Sequence, residues 1–486
     1  FCKPRALSLR GKAVVVNQLA ASALWYPATI LPLPKWAVKR INEALWFFVY
    51  NGKKDPIPRK QARLPHKEGG LNIVDIEKKS VSLKLSWLAK LFKDELPSKW
   101  KFLFEYFLGS YKNLDIGSSI LKCYLSIFHV NKLPAFYKAL LKSYLKIFQD
   151  KRTNPDPLIG LFNEPLADNP LLSDDSLCNN EEFTLSNVKF LRDLCYETVP
   201  GFMPLAAMKE ILGKNFKEKS LTRLNKNIPA AWRPVIMKET PEPRRFNYDF
   251  KVTSPLDMKP KLLSSFCISD FYNILIHSDI SFTNLKFCLF WETQIGFVLW
   301  DKFFHNLFSK VGDTKSFDIQ WKFIQLCLPT ADRLFRHKII QNSVCARCNK
   351  KKETSTHIFI DCPEVSLLWK FIAVKINKLN NGIDSNKFKR FIIIGEIDYS
   401  KSIDLTVENT LRDLAFTTVW STRNKLVFDH ERLNLRATYK LKLKSKIKDA
   451  YYLAKEDFDL LYLFKQRWCR NSALASLSND TLKFHF

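Results

Sequence analysis

Cys345, Cys348, His357 and Cys362 follow one another as Cys-x2-Cys-x8-His-x4-Cys in the stretch CARCNKKKETSTHIFIDC. Three thiolates and one imidazole complete a tetrahedral shell, and zinc is the metal such donors select. A Cys-x2-Cys pair reaches one ion from a single tight turn. With four protein ligands no position stays open for water, so the chemistry on offer is structural rather than hydrolytic. His357 and Cys362 are five apart and would face opposite sides of a straight strand. A short helix ending at Cys362 lets them converge, because Pro363 disfavours helical geometry in the residue before it. Either Asp361 or a backbone carbonyl would orient the imidazole. The competing reading is chance, since the chain holds 11 Cys; the polar, turn-like setting and the His and Cys that follow the pair favour the metal. Arg347, Lys350, Lys351 and Lys352 stand between the ligands. They form either a solvated turn or a fixed cationic knob for phosphate.

No other constellation with a recognisable chemistry accompanies the four ligands. ILGKNF lacks the first glycine of a phosphate-binding loop. His66, His277 and His305 have no triad neighbours. A self-contained hydrolase or transferase therefore has no support.

The elements that must position the site read as mainly α: several helical subdomains with one small CCHC zinc-binding module. At 486 residues the chain is long enough for two to four domains, and 46% hydrophobic residues, with 39 Phe and 12 Trp, supply their cores. Pro34 and Gly52 bracket a helix whose face is Val38, Ile41, Leu45 and Phe48, with Lys35, Lys39 and Arg40 away from it. NGKKDPIPRKQARLPHKEGG then reads as an exposed loop, carrying Lys53, Lys54, Arg59 and Lys60. Asp75 caps a helix that buries Val81, Leu85, Leu88 and Phe92. AFYKALLKSYLKIF is amphipathic, the Pro- and Asp-rich stretch after it reads as a linker, and helices resume near SNVKFLRDLCYE. PEPRR marks a second break. Aromatic-rich helices occupy 265–330 and return from Val365. Near the end, Lys440, Lys442, Lys444, Lys446 and Lys448 alternate. Alternation is a strand signal, yet the flanks read as helix. On a helix these lysines wrap most of the circumference, which makes it hard to bury and suits a phosphate track.

Charge narrows the partner. Lys and Arg total 77 against 48 acids, a formal net charge of +29. Nucleic acid is the first candidate, an acidic membrane surface the second and a merely basic soluble protein the third. A membrane helix would put Lys on one face, which alternation does not. The odd, scattered cysteines are not a disulfide framework. No signal-peptide pattern or membrane-length apolar run is present, so a reducing compartment, nucleus or cytoplasm, is expected.

LPTADRLFRHKIIQNSVCARCNKKKETSTHIFIDCPEVSLLW resembles the zinc-binding region that follows the polymerase in LINE-type, non-LTR retrotransposon reverse transcriptases. The shared steps are Leu328, Pro329, the four ligands, Glu353, Thr354, Pro363 and Trp369. The spacing departs from the retroviral zinc knuckle. Gly11–Lys12, Trp25–Tyr26, the LPLP link and the Gly69–Gly70–Leu71 … Asp75 turn resemble the thumb and post-thumb region of the same enzymes. VWSTRNKLVF resembles their Trp-x2-Arg-Asn helix. The landmarks keep the family's order along nearly the whole chain and are weakest over 106–260.

The resemblance implies a thumb/post-thumb-like region over 1–105, a helical connector with irregular linkers over 106–260, a zinc-binding module over 261–380 and a basic helical region over 381–486. It also implies an aromatic-x-Asp-Asp palm, which Asp174–Asp175 does not supply. The palm is expected upstream of Phe1, and the chain alone is not expected to polymerise. The expected role is to hold template RNA or target DNA during target-primed reverse transcription, beside the palm and fingers. No small-molecule substrate is expected. Phosphate contact is expected from Lys35, Lys39, Arg40, Lys53, Lys54, Arg59 and Lys60, from Arg347 and Lys350–Lys352, and from Arg423, Lys425 and the alternating lysines. The alternative is a domesticated, zinc-stabilised protein-interaction scaffold.

Overall fold

A computed structural model describes residues 7–93, 98–148, 151, 160–172, 188–212, 219, 222, 226–241, 249–278, 285–309, 314–380, 385–396, 406–478 and 481–486. The described residues are mainly helical, with two short antiparallel hairpins, Lys251–Thr253 with Pro260–Leu262 and Ala475–Ser478 with Thr481–Phe484. None of the described helices is long and apolar enough to cross a membrane. The chain forms two compact units: residues 1–15, 46–73 and 281–486 in one, and 16–45 and 74–280 in the other. This grouping cuts across the four consecutive segments drawn from the sequence. Asp174–Asp175 and the PEPRR arginines lie outside the described residues.

In the 16–45 and 74–280 unit, the Asp75 carboxylate accepts from the Glu77 and Lys78 backbone amides at 3.1 and 3.2 Å. It thus starts the Ile76–Leu91 helix as an N-cap should. Leu85, Leu88 and Phe92 enter a core with Phe104, Leu140, Leu141, Phe148 and Phe271. Each fully buried side chain of this size contributes about 1.5–3 kcal/mol. The Ala135–Phe148 helix forms as its periodicity requires. Two expectations are corrected. Part of the supposed linker packs: Leu161, Phe162, Leu166 and Leu172 share a second small core with Leu191, Leu194, Trp232 and Ile236. And SNVKFLRDLCYE is no long helix. It holds one 3-10 turn, Leu191–Leu194, because the Asp193 carboxylate takes the Lys189 and Phe190 amides at 2.8 Å each and bridges flank it.

Lys84 of this unit is buried, its ammonium donating to the Ala28 carbonyl at 3.0 Å and the Ser80 hydroxyl at 2.9 Å. Burial pushes it down from 10.5 to about 8. Between those values the unfolded chain binds more protons than the native one, so stability rises with pH through that window and the penalty is present below it. Lys84→Met is expected to stabilise the protein by about 1–2 kcal/mol at pH 7, net of two orphaned acceptors, and to abolish the alkaline rise. Urea titrations at pH 7 and pH 10 check both; destabilisation at pH 7 would show that the ammonium's bonds outweigh its desolvation.

In the other unit the 51–70 stretch is only in part the exposed loop its composition suggests. Ile57, Ala62 and Leu64 are buried, as is Leu71 just after it. Gly69 takes φ +77°, and its carbonyl accepts from Trp321 Nε1 at 2.9 Å and Gln325 Nε2 at 2.8 Å. A Cβ on Gly70 would fall 1.9 Å from the Leu64 carbonyl oxygen, so the glycine pair permits close packing rather than mobility. The same unit's core includes Trp291, Trp321, Phe323, Phe359 and Phe416. Arg412, also buried, donates from Nε and Nη2 to the Ile392 and Ile393 carbonyls at 2.8 and 2.6 Å, and so closes the end of the Ser385–Ile394 helix.

Candidate metal centre

The zinc ligands sit on two small local structures. Cys345 and Cys348 belong to a hairpin: the Cys345 amide donates to the Lys351 carbonyl at 2.8 Å, the Asn349 amide to Cys345 at 2.8 Å, and the Glu353 amide to Ser343 at 2.7 Å. Asn349, at φ +53°, turns the chain. His357 opens a helical turn, His357–Asp361, whose start is held by the His357 amide donating to Thr354 Oγ1 at 3.0 Å. The turn ends at Cys362, which is extended (φ −66°, ψ 129°) before Pro363 and the Pro363–Asn380 helix. This is the short helix expected from the sequence, with one difference. The Cys362 amide donates to the His357 carbonyl at 2.8 Å, an i→i+5 closure. In an α-helix residues five apart are about 140° apart around the axis. The wider turn brings them to one side.

The four ligand atoms all lie within 4.8 Å of one another, with Cys345, His357 and Cys362 buried and Cys348 half-buried. Cys348 Sγ and His357 Nε2 are 3.4 Å apart, close to the edge of about 3.6 Å that tetrahedral zinc bonds imply. Hydrogen bonding from Cys362 lowers the Cys345 thiol and favours its thiolate, helped by the Cys348 and Arg347 amides. The Cys362 thiol is pushed up, first by that shared bond and then by burial. Three sulfurs and an imidazole gathered within 4.8 Å of one another fit a divalent soft cation. The centre is one structural zinc site, closed to water by its four protein ligands.

What surrounds the centre corrects part of the cationic reading. Arg347 is buried, and its Nη2 donates to the Val419 carbonyl and Thr422 Oγ1, each at 3.0 Å. Arg423 is buried too. Its Nη2 meets Glu353 Oε1 at 2.7 Å in a pair almost wholly removed from solvent. Both arginines clamp the zinc hairpin to the Thr406–Phe428 helix and, being buried, present no guanidinium face to a phosphate. Glu353 Oε1 also accepts from the Ala331 amide at 2.8 Å. Arg432, a further clamp, donates to the Arg347 carbonyl at 3.3 Å and to Glu364 at 2.5 Å. Glu353 and Arg423 both lie in segments that carry the family resemblance; that is the signal from which the pair could have been read.

The remaining cations are on the surface. Lys350, Lys351 and Lys352 are exposed on the zinc hairpin. Lys35, Lys39 and Arg40 are exposed in one unit; Lys53, Lys54 and Lys60 are exposed in the other. Arg59 pairs with Asp55 at 2.6 Å and lies over the Trp46 ring at 5.4 Å. Lys425 pairs with Glu431 at 2.9 Å. The five alternating lysines are on a helix, Leu435–Ala454. That helix is buried after all, along the narrow stripe Leu435, Tyr439, Leu443 and Ile447, which repeats every four residues between them. Lys444, Lys446 and Lys448 stay exposed, and Lys440 and Lys442 are half-buried.

Two comparisons bear on this geometry. A Xenopus laevis protein named "Transposon TX1 uncharacterized 149 kDa protein" is 29% identical over 171 residues, covering 34% of this chain and 13% of that protein's length. Residues 266–369 match the family described as zinc-binding in reverse transcriptase. The chain thus carries a region similar to the zinc-binding region of reverse transcriptases. The matched segment includes all four ligands, Glu353, and Trp369, whose indole donates to the Phe359 carbonyl at 2.6 Å and ties the His357 turn to the following helix. Arg423 lies beyond the segment, so the clamp joins the matched region to the basic helices that follow it.

Proposed function

We propose that this chain is the zinc-stabilised, nucleic-acid-holding part of a LINE-type reverse transcriptase. It grips template RNA or target DNA during target-primed reverse transcription, while the polymerase chemistry belongs to the palm and fingers of the parent RNA-directed DNA polymerase, in the nucleus or cytoplasm. The observation that carries this reading is the mounting of its cations. Lys350–Lys352 ride on a hairpin fixed at one end by zinc and at the other by Glu353–Arg423. The lysines of Leu435–Ala454 ride on a helix held by its own apolar stripe. Cations on rigid supports meet a polyanion with little loss of ordering entropy. A net charge of +29 supplies the attraction.

Anisotropy titrations of the zinc-loaded chain with labelled single-stranded RNA and duplex DNA test the reading. With about 6–10 phosphate contacts, affinity is expected to fall about a thousandfold or more between 50 and 200 mM salt. Neutralising Lys350, Lys351 and Lys352 together to Gln should lower the salt slope by about 2–3. Weak binding that ignores salt, alongside tight binding to a protein, would replace this reading with that of an interaction scaffold.

A further inference from the structure

On a helix, lysines alternating in sequence resolve into two rows with a four-residue repeat. Lys440, Lys444 and Lys448 share one row, and Arg436 extends it; Lys442 and Lys446 form the other. The second row faces a cleft that Asp318 and Asp449 also line, so its charge is partly countered. The first row has a different environment. Arg436 and Lys440 lie over the Phe371 ring at 4.7 and 5.3 Å, and Lys444 lies over the Phe484 ring at 5.3 Å. Among the described residues, none of these three has a carboxylate partner. A ring differs from a carboxylate as a holder: its quadrupole fixes a cation's position without cancelling its charge. Lys375 adds a fourth cation 5.9 Å from the Phe371 ring, its ammonium donating to the His485 carbonyl. Burial, then the proximity of Lys378, Lys440 and Arg436, push Lys375 down from its ordinary value.

The cleft beside this row has a volume of about 800 Å³, between the Pro363–Asn380 helix and the start of Leu435–Ala454. Its one lining carboxylate among the described residues, Glu364, is taken by Arg432 at 2.5 Å. Leu367, Phe371 and Val374 line it at i, i+4 and i+7 of one helix face, and Leu367 and Val374 are 63% and 54% exposed. One wall is therefore apolar, and on the other the row of cations begins at Arg436 and continues past the cleft along the Leu435–Ala454 helix to Lys440 and Lys444. From Arg436 to Lys448 the row runs about 18 Å, with one charge each ~6 Å.

We infer that the cleft binds single-stranded nucleic acid, its phosphates along Arg436, Lys440 and Lys444 and its unpaired bases on Leu367, Phe371 and Val374. The evenly spaced row matches a polymer with regularly spaced charges, and the apolar wall matches base faces that a duplex keeps stacked away. Phe371 both aims Arg436 and Lys440 and meets the bases, whereas Phe484 is a positioning residue that aims Lys444. The inference rests on the nucleic-acid reading above and gives it a place and a strand type.

The test uses the full zinc-loaded chain with an oligouridylate of about 20 nucleotides, a duplex DNA of about the same length, and polyglutamate as competitor. Arg436→Gln/Lys440→Gln/Lys444→Gln is expected to weaken oligouridylate binding at least tenfold and to reduce the salt slope by about 2. Lys442→Gln/Lys446→Gln is expected to cost less in both. Phe371→Leu keeps every charge, so a severalfold loss with an unchanged slope is expected. If the triple variant behaves like the double one, or loses duplex as much as single strand, or if polyglutamate displaces RNA charge for charge, this inference falls while the broader reading stands. If the unaltered chain binds neither RNA nor DNA, the broader reading itself falls.

Discussion

Cys345→Ser is expected to empty the zinc site and to remove about 5 kcal/mol or more of stability, the largest effect of any single substitution considered. Structural zinc contributes apparent free energies of ~10–16 kcal/mol to isolated finger peptides. Here the ligand segments also have apolar anchors, so the loss is smaller than that but still large. The reason lies between the ligands. Phe359, two residues after His357, is fully buried, with its ring 4.7 Å from Phe416 and 5.2 Å from Phe323. Once one thiolate is gone, the wide turn that carries Phe359 loses the constraint that keeps His357 and Cys362 on one side. A released Phe costs about 3–5 kcal/mol in lost burial. For a protein of this size that corresponds to a fall of roughly 5 °C in Tm. Metal content by mass spectrometry and thermal unfolding, with and without chelator, measure both effects. Chelator should bring the unaltered protein down to the variant and leave the variant where it is. Acid should release the metal, since each ligand must be deprotonated to bind. A variant that keeps a full equivalent of zinc would remove Cys345 from the shell.

The ligand set was legible because its information is local: four residue types at fixed spacing within one short stretch. The end of the turn was legible too, because Pro363 acts on its immediate neighbour. The i→i+5 closure was not, since nothing in HIFID distinguishes a wide turn from an ordinary one; the metal's demand for convergence selects it. Composition misled at Gly69–Gly70, where Pro, Gly and basic residues suggested an exposed loop. Glycine marks close approach as well as freedom, and the Trp321 and Gln325 donors that decide between the two lie some 250 positions away. Charge misled at Arg347 and Arg423 for a related reason. An arginine reads as surface unless its partner is known, and the partners are 70 or more residues distant. The tail was half legible. The alternating lysines were plain, but the stripe of Leu435, Tyr439, Leu443 and Ile447 that makes the helix buriable needed the four-residue repeat to be read through them.

Glu353→Ala is expected to cost about 3–5 kcal/mol, second only to loss of the metal. Glu353 stands directly after the zinc hairpin and holds two partners with one carboxylate: Arg423 at 2.7 Å and the Ala331 amide at 2.8 Å. Removing it strands a guanidinium in a site that is 5% exposed, and an uncompensated buried charge is what makes breaking such a pair expensive. The amide loses its acceptor as well, adding about 1 kcal/mol. Arg423→Met should cost less, because the carboxylate it leaves behind keeps the Ala331 amide. The double change Glu353→Leu with Arg423→Met separates the two terms. It deletes both charges in similar volume, so the ionic part of the penalty should vanish and about 1–2 kcal/mol should remain for the orphaned amide and imperfect packing. Denaturant titrations of the four proteins close the cycle, and a coupling below about 0.5 kcal/mol would show that the pair does not act as a unit. The consequence for the metal follows from the hairpin. The Glu353 amide donates to the Ser343 carbonyl, the rung of the hairpin farther from the Cys-x2-Cys turn. Glu353→Ala should therefore hasten zinc loss to a chelator, while the double variant, with its hairpin again packed on the Thr406–Phe428 helix, should release zinc nearly as slowly as the unaltered chain.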